Sequence, residues 1–110
     1  MMITDALAPL SVPVCHPPYS GAARKFITYQ SMGQTGTIYA EGEEAETASS
    51  FALDLYTDGG ATENDALVKR IKALLWEAGY MCVVNAEIHE KDTGLRHYAM
   101  TAETVEELYG

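Results

Sequence analysis

The sequence predicts an α+β domain in which one long α-helix covers an antiparallel β-sheet, with a short N-terminal helix and a C-terminal β-hairpin. Three observations lead to this fold class. Apolar residues recur at helical spacing over residues 62–78, strand-like alternation covers residues 26–32 and 47–57, and two further strand-like runs surround the turn sequence KDTG. A chain of 110 residues, 47% of them hydrophobic, is long enough for one core, so residues 1–110 are predicted to form a single domain.

The N-terminal part of the chain is predicted to hold a short helix and then an extended segment. Ile3, Leu7 and Leu10 have roughly helical spacing, and Pro9 limits the length of that helix. Three of the four prolines lie within residues 12–26, which predicts a brief extended segment followed by a loop.

The middle of the chain is predicted to form strands separated by turns. The predicted order is a strand at residues 26–32, a turn at 32–36, a strand around 37–41, an acidic reversal at 42–46 and a strand at 47–57. In the last of these strands, two sets of side chains point in opposite directions, Phe51, Leu53 and Leu55 against Ala52, Asp54 and Tyr56. This alternation predicts that one face of the strand is buried.

The strongest helical signal is the stretch ATENDALVKRIKALLWEAG, residues 61–79. Thr62 is the predicted N-cap, and Gly79 is predicted to take the left-handed position after the helix. The predicted apolar stripe consists of Leu67, Ile71, Leu74, Leu75 and Ala78. The side chains expected to face solvent are Lys69, Arg70 and Lys72.

The last two strands, residues 80–90 and 95–103, are predicted to pair through a turn at residues 91–94 with Gly94 in a left-handed bulge position. This register places His89 opposite His97 and Glu90 opposite Arg96. It sorts the side chains into an apolar face of Val84, Ala86, Ile88, Tyr98 and Met100 and a polar face of Asn85, Glu87, His89, His97, Ala99 and Thr101.

Charge and cysteine content argue against several classes of function. Seven Lys and Arg against 16 Asp and Glu give a formal charge of −9, which repels phosphate backbones and anionic lipid surfaces. Neither tight nucleic-acid binding nor a membrane partner is therefore expected. Cys15 and Cys82 lack CxxC spacing and are interpreted as free thiols, and the first residues lack the features of a secretory signal, so we expect a cytoplasmic protein.

Few residues are arranged for catalysis or metal binding. The facing His89 and His97, with Glu87, form the best metal candidate, but a solvated cross-strand pair is the alternative, because zinc sites need three or four protein ligands. Cys15 beside His16 suggests an activated thiolate, yet neighbours on an extended segment point to opposite faces. We therefore predict no catalytic residue, no metal and no cofactor, and we expect that the protein is not an enzyme.

Several features point instead to contacts with other proteins. Trp76 lies off the apolar stripe, where an aromatic side chain fits either a protein contact or the edge of the core. The glutamates of residues 41–46 are interpreted as solvated rather than as calcium ligands. Seven tyrosines and long strands whose edges something must cover indicate assembly through the sheet or its loops.

Three stretches of the chain resemble one protein family: FITYQSMGQTGTIYAEGEEAETASSFALDLYTD, ALVKRIKALLWEAGY and EIHEKDTGLRHYAMT. They are similar to the small tail-completion or tail-terminator proteins of long-tailed bacteriophages and prophages of Gram-positive bacteria. The resemblance covers residues 3–102 and rests on the order of elements and on short motifs such as FITYQ and FALDLYT. The N-terminal helix, which ends at Pro9, is shorter than in that family.

The resemblance implies a structural protein of the virion. Such a protein caps the finished tail tube as a ring, commonly a hexamer, stops tail polymerisation and joins the tail to the head. Its implied partners are further copies of itself, the tail tube protein and the head-tail connector protein, while DNA passes an acidic lumen without specific binding. Its implied location is the host bacterial cytoplasm during assembly and then the virion tail.

Three alternatives stay open at this point. A head-tail connector or stopper protein has similar size and also assembles into rings. A cytosolic protein-binding module would hold a peptide at a sheet edge without catalysis. A metal-dependent enzyme would be centred on His89 and His97.

The ring hypothesis assigns particular residues to contacts, since a closed ring needs one patch of each subunit to meet a different patch of the next. Predicted contacts with other subunits or with the tube lie at Trp76, Tyr39, Tyr56, Lys91 and Asp92. The acidic hairpin predicted to face the lumen holds Glu43, Glu44 and Glu46.

Overall fold

The computed structural model describes residues 3–32 and 50–104, which form a five-stranded sheet and two helices. The elements, in chain order, are α1 (Ile3–Leu7) with a 3₁₀ turn (Ala8–Leu10), β1 (Val14–Cys15), β2 (Lys25–Ser31), β3 (Ser50–Thr57), α2 (Ala61–Glu77), β4 (Tyr80–His89) and β5 (Arg96–Thr104). A 17-residue helix, α2, covers one face of the sheet, as the sequence predicts. Within these two ranges no helix has both the length and the apolar character needed to cross a membrane.

The sheet is mixed, which corrects the prediction of a purely antiparallel sheet. Its strand order is β1-β2-β3-β5-β4. β1 runs parallel to β2, with Val14 opposite Ile27, and the amide of Ile27 donates to the carbonyl oxygen of Pro13 at 2.8 Å. The other three neighbouring pairs are antiparallel. Periodicity could not show this, because the direction of a two-residue strand depends on where the preceding and following loops carry the chain.

The core lies between α2, α1 and the covered face of the sheet. Phe51, Leu53 and Leu55 of β3 are completely buried, so the predicted alternation of that strand is confirmed. Ile3 and Leu7 of α1 are also completely buried. Full burial of such a side chain contributes about 1.5–3 kcal/mol, which explains why a five-residue helix stays attached to the domain.

The buried side of α2 differs in part from the predicted stripe. Its buried residues are Asn64, Val68, Ile71 and Leu75, and its partly buried apolar residues are Leu67, Leu74 and Ala78. The prediction omitted Asn64 and Val68. A count of apolar residues misses Asn64 because it is polar, although its side chain is completely buried.

The two ends of α2 give one wrong prediction and one confirmed prediction. Gly60, extended at φ −78° and ψ 172°, is the N-cap, so the predicted cap at Thr62 lies two residues inside the helix. The first turn of α2 is instead stabilised by the buried side chain of Asn64, which forms hydrogen bonds with Thr57 and Gly59 at the end of β3. Gly79 follows the helix at φ +93°, the left-handed conformation that was predicted.

Asn64 connects β3 to α2 through a small buried network. The hydroxyl of Thr57 donates to Asn64 Oδ1 at 2.9 Å, and Asn64 Nδ2 donates to the carbonyl oxygen of Gly59 at 2.9 Å. The amide of Gly59 in turn donates to the Thr57 hydroxyl at 3.0 Å. Thr57 and Asn64 are both completely buried, and each satisfies the other's polar group.

The register between β4 and β5 is shifted from the predicted one. The amide of Glu90 donates to the carbonyl oxygen of Leu95 at 2.8 Å, so four residues form the turn, and Gly94 within it has φ +75° as predicted. His97 lies opposite Ile88, and the predicted pair of His89 with His97 is therefore wrong. The predicted pair of Glu90 with Arg96 is wrong for the same reason, because Arg96 lies opposite His89.

An irregularity between Val84 and Ala86 then changes which side chains share a face. A bulge inserts one extra residue, so the strand's side chains exchange faces at that point. Val84 lies opposite Met100 on the covered face, whereas Ile88 lies opposite His97 on the other face. The predicted apolar face, which grouped Ala86 and Ile88 with Val84, is wrong.

The face of the sheet that no described helix covers is called the open face. Its side chains are Phe26, Thr28 and Gln30 from β2, Ala52, Asp54 and Tyr56 from β3, His97, Ala99, Thr101 and Glu103 from β5, and Met81, Val83, Ala86 and Ile88 from β4. It combines aromatic, charged and exposed apolar groups, and it is therefore the part of the described chain where a functional surface is expected.

Candidate functional site

A row of stacked rings crosses the open face. Tyr19 stacks on Phe26 with ring centroids 4.1 Å apart, Phe26 on Tyr56 at 4.8 Å, and Tyr56 on His97 at 4.3 Å. Phe26, Tyr56 and His97 lie directly opposite one another on adjacent strands, which is the geometry that favours cross-strand contacts. Such ring pairs contribute about 0.5–1.5 kcal/mol each beyond their buried area.

Tyr56, a predicted contact residue, lies in the middle of this row. Burial raises the pKa of its phenol above the ordinary value, and the nearby carboxylates of Asp54 and Glu90 raise that pKa further. The phenol therefore stays neutral near pH 7 and offers a hydroxyl to a partner rather than a charge. Its ring, however, is already used by two neighbours within the same chain.

His97 stands between two carboxylates at one end of the row. Its Nε2 lies 2.6 Å from Asp54 Oδ1, and its Nδ1 lies 3.4 Å from Glu90 Oε2. The second contact is within ion-pair distance but lacks hydrogen-bond geometry, and Nδ1 is buried without a hydrogen-bond partner. Both ring nitrogens face carboxylates of the same chain, so this cluster connects β3 and β5 to the residue that follows β4.

The metal candidate predicted from the sequence is not assembled. His97 is on the open face, whereas His89, one residue beyond Ile88, points to the opposite side of the sheet. Glu87 pairs with Arg96, Nη1 to Oε2 at 3.1 Å. In residues 3–32 and 50–104, no group of three or more histidine, cysteine, aspartate or glutamate side chains could hold a metal ion.

The two cysteines are free thiols in different surroundings. Cys15 pairs with Thr28, while the ring of the adjacent His16 contacts Tyr29, with Nδ1 3.1 Å from the Tyr29 carbonyl oxygen. Cys15, on β1, and His16, which follows it, thus have different neighbours. Burial raises the pKa of Cys82 to about 11, an effect that Lys72 only partly offsets, so this thiol stays protonated at neutral pH.

The largest exposed apolar side chains of the sheet lie on β4. Met81, Val83 and Ile88, all on the open face, are 48%, 45% and 44% exposed. Met81 and Val83 line a shallow hollow together with Thr101 and Glu103. The sequence interpretation placed Ile88 on the same face as Val84, because it did not include the bulge that turns Ile88 to the open face.

The remaining predicted contact residues that the structure describes lie on different elements. Trp76 is 60% exposed on α2, as expected for a residue off the apolar stripe, and Lys91 and Asp92 are exposed in the turn after β4. The other predicted positions lie outside the described residues, and they are Tyr39, Glu43, Glu44 and Glu46. The cluster of Asp54, His97 and Glu90 was not predicted. Alternation could have placed Asp54 on the open face, but not next to a histidine 43 residues away.

Comparison with known proteins does not assign this chain to a family. A scan against protein-family models, a search of curated proteins and a search of solved structures each find no match.

Proposed function

We propose that this chain is a structural assembly protein of a long-tailed phage or prophage that caps the tail tube as a tail terminator. The observation that carries the proposal is the exposed apolar side of β4, with Met81, Val83 and Ile88 each 44–48% exposed. Several half-exposed apolar side chains along one strand on one face of a sheet are typical of a surface that another protein contacts. The order of elements and the motifs FITYQ and FALDLYT support the phage assignment.

The arrangement of the sheet suits a subunit of a ring. A ring needs two different contact patches on each subunit. The apolar side of β4 can supply one patch, and the turn of the C-terminal hairpin, with Lys91 and Asp92 exposed, can supply another. The excess of acidic residues would let DNA pass a lumen without adhering, because like charges repel. The partners in this proposal are further copies of the chain, which form a hexameric ring, together with the tail tube protein and the head-tail connector protein.

In this proposal the protein is made in the host bacterial cytoplasm, ends in the virion tail and carries out no catalysis. The contacts of His97 support a role without catalysis. Both of its ring nitrogens face carboxylates, and among the described residues no nucleophilic side chain contacts them. A head-tail connector or stopper protein is the alternative within the same class, because it would also use the exposed apolar side of β4 for contacts in a ring.

A cytosolic protein-binding module is a second candidate, and one observation favours it. β4 lies at the end of the strand order, so a single extended peptide could pair with it without any ring. The two candidates differ in what the loss of the protein would do. Only the loss of an assembly protein changes the shape of virus particles.

Deletion of this reading frame from its parent phage or prophage, followed by electron microscopy of the particles, tests the proposal. Tails of uncontrolled length beside tailless heads would support a terminator, and complementation with the intact chain should restore uniform tails. Tails of normal length beside leaking heads would show a connector instead. Unchanged particles would contradict both roles in the virion and favour the binding module.

A further inference from the structure

The outer edge of β4 has the properties of a site for an additional strand. β4 is ten residues long and lies at one end of the sheet, and no strand in the described ranges pairs with its outer side. An edge of this kind presents backbone donors and acceptors to any extended chain that approaches it.

The hydrogen-bonding pattern shows which backbone groups face outward. Antiparallel ladders alternate hydrogen-bonded and non-hydrogen-bonded pairs, and the bond from Glu90 N to Leu95 O sets this alternation near the turn. Beyond the bulge, the pattern follows from a bond in another part of the sheet, in which Met32 N donates to Ser50 O. Because successive residues of a strand bond to alternate neighbours, the registers of β2 with β3, β3 with β5 and β5 with β4 extend this pattern to β4. The amides that point away from β5 are those of Cys82, Val84, Glu87 and His89.

The usual protections of a sheet edge are few on this strand. Natural edges are commonly blocked by proline or by lysine, and the sequence YMCVVNAEIH of β4 contains neither of them. Its exposed side chains are largely apolar instead, and they include Val84 at 36% exposure as well as Met81 and Val83. Two protections are present within β4, the bulge near Asn85 and the exposed charge of Glu87.

A hollow lies on each side of this edge. The hollow on the open face is lined by Met81, Val83, Thr101 and Glu103. The hollow on the other face, between β4 and α2, is lined by Ala61, Asp65, Val68, Lys72, Val84, Glu87 and Tyr98. Successive side chains of a strand point to opposite faces, so the side chains of an added strand would enter the two hollows in turn.

The charge around the edge selects among possible occupants. Glu103 lines one hollow. In the other, Asp65 pairs with Lys69 at 3.2 Å and Glu87 with Arg96 at 3.1 Å, so Glu103 and the net charge of −9 supply the acidic field. A second copy of this chain would bring the same acidic edge and a further formal charge of −9. A basic segment would be attracted both by the edge and by the field of the whole domain.

We propose that the edge of β4 accepts an extended segment of a partner protein, with apolar side chains in the two hollows and a basic side chain near Glu103. This inference deepens the proposed function, on which it rests for the identity of the partner, since the segment would belong to a neighbouring component of the tail. The strand pairing itself is a property of the isolated domain and can be tested without any virus particle.

The test uses a synthetic peptide of about ten residues, similar in length to β4, with valine alternating with lysine and threonine. One control peptide carries glutamate in place of lysine, and a second carries methyl groups on alternate backbone nitrogens. We expect the lysine peptide to slow amide hydrogen exchange at Cys82, Val84 and Glu87 by about tenfold or more, and to bind about tenfold more tightly than either control.

Two protein variants of equal charge test the location. Met81→Lys places a positive charge in the open-face hollow and should weaken binding of the lysine peptide about tenfold. Ala73→Lys, at an exposed residue of α2 that lines neither hollow, should leave binding unchanged. Both positions are exposed, so both variants should fold.

Three results would each overturn the proposal. The first is no slowing of exchange at the three amides with the lysine peptide in excess. The second is equal binding of the peptide with methylated nitrogens. The third is slowed exchange at these amides without peptide that increases with protein concentration, because a second copy would then occupy the edge. The deletion experiment is independent of these results, so failure of the strand pairing would not be confused with failure of the tail role.

Discussion

The substitution Asn64→Ala removes the side chain that joins the end of β3 to the first turn of α2. Two hydrogen bonds of 2.9 Å are lost, one accepted from the Thr57 hydroxyl and one donated to the Gly59 carbonyl oxygen. Asn64 and Thr57 are completely buried, so water cannot easily replace the missing partner. The hydroxyl of Thr57 keeps only the bond that it accepts from the amide of Gly59.

The size of the effect follows from these groups. A buried polar group without a partner costs about 1–3 kcal/mol, and two groups lose their partners. The Gly59 carbonyl is only partly buried, which places its cost near the lower end of that range. Alanine is the better helix former by about 0.5 kcal/mol, which offsets a little of the loss. We expect the free energy of unfolding to fall by about 2–3 kcal/mol.

Urea unfolding followed by circular dichroism measures this change. With a slope of about 1–3 kcal/mol per molar urea, the midpoint should move down by roughly 1–2 M. The matched control is Asn85→Ala, an exposed asparagine that donates to Thr101 Oγ1 at 2.6 Å, where a change within about 0.5 kcal/mol is expected. Equal midpoints for the two variants would refute the reasoning. The double variant with Thr57→Val should cost less than the sum of its parts, since both changes break the same bond.

Three further predictions concern other parts of the molecule. Gly79→Ala should lower the free energy of unfolding by about 1–2 kcal/mol, because alanine is strained at φ +93°. At Gly60, as at Gly79, an added Cβ would meet no neighbouring atom, but φ is negative, so thermal unfolding should show a smaller loss for Gly60→Ala, and equal losses would contradict this. Burial raises the pKa of Cys82 from 9.0 to about 11, so the unfolded chain loses this proton first and stability should fall as the pH rises from about 9 to about 11. Cys82→Ala should reduce that fall in urea titrations, and an unchanged pH dependence would show that the thiol is not its source. His97→Leu leaves the facing carboxylates without the ring and should cost about 1–2 kcal/mol, against little change for an exposed His89→Leu.

The fold class and several elements could be predicted because they depend on local patterns. The alternation of Phe51, Leu53 and Leu55 places one face of β3 in the core whatever its neighbours are. The helical spacing before Gly79, and the freedom of glycine at positive φ, locate α2 and its end. These features are set by residues close together in the chain.

The candidate site could not be predicted in the same way. Asp54 and His97 are 43 residues apart, and only the pairing of β3 with β5 brings them to 2.6 Å. The exposed position of Ile88 depends on the bulge in β4. The bulge adds one residue to the strand, so every side chain after it lies on the opposite face from the one that simple alternation predicts. The predicted pair of His89 and His97 failed for a different reason, because the turn pairs Glu90 with Leu95 and thereby places His97 opposite Ile88.

The sequence by itself determined an acidic α+β domain with a long helix over a sheet, because charge, periodicity and turn residues are local properties of the chain. Only the tertiary structure decided that β1 is parallel to β2, that His97 lies between two carboxylates, and that β4 is the outer strand with its apolar side exposed. Each of these depends on which distant segments pair and in what register. Register is chosen by the packing of the whole core, so a short pattern in one strand does not contain it.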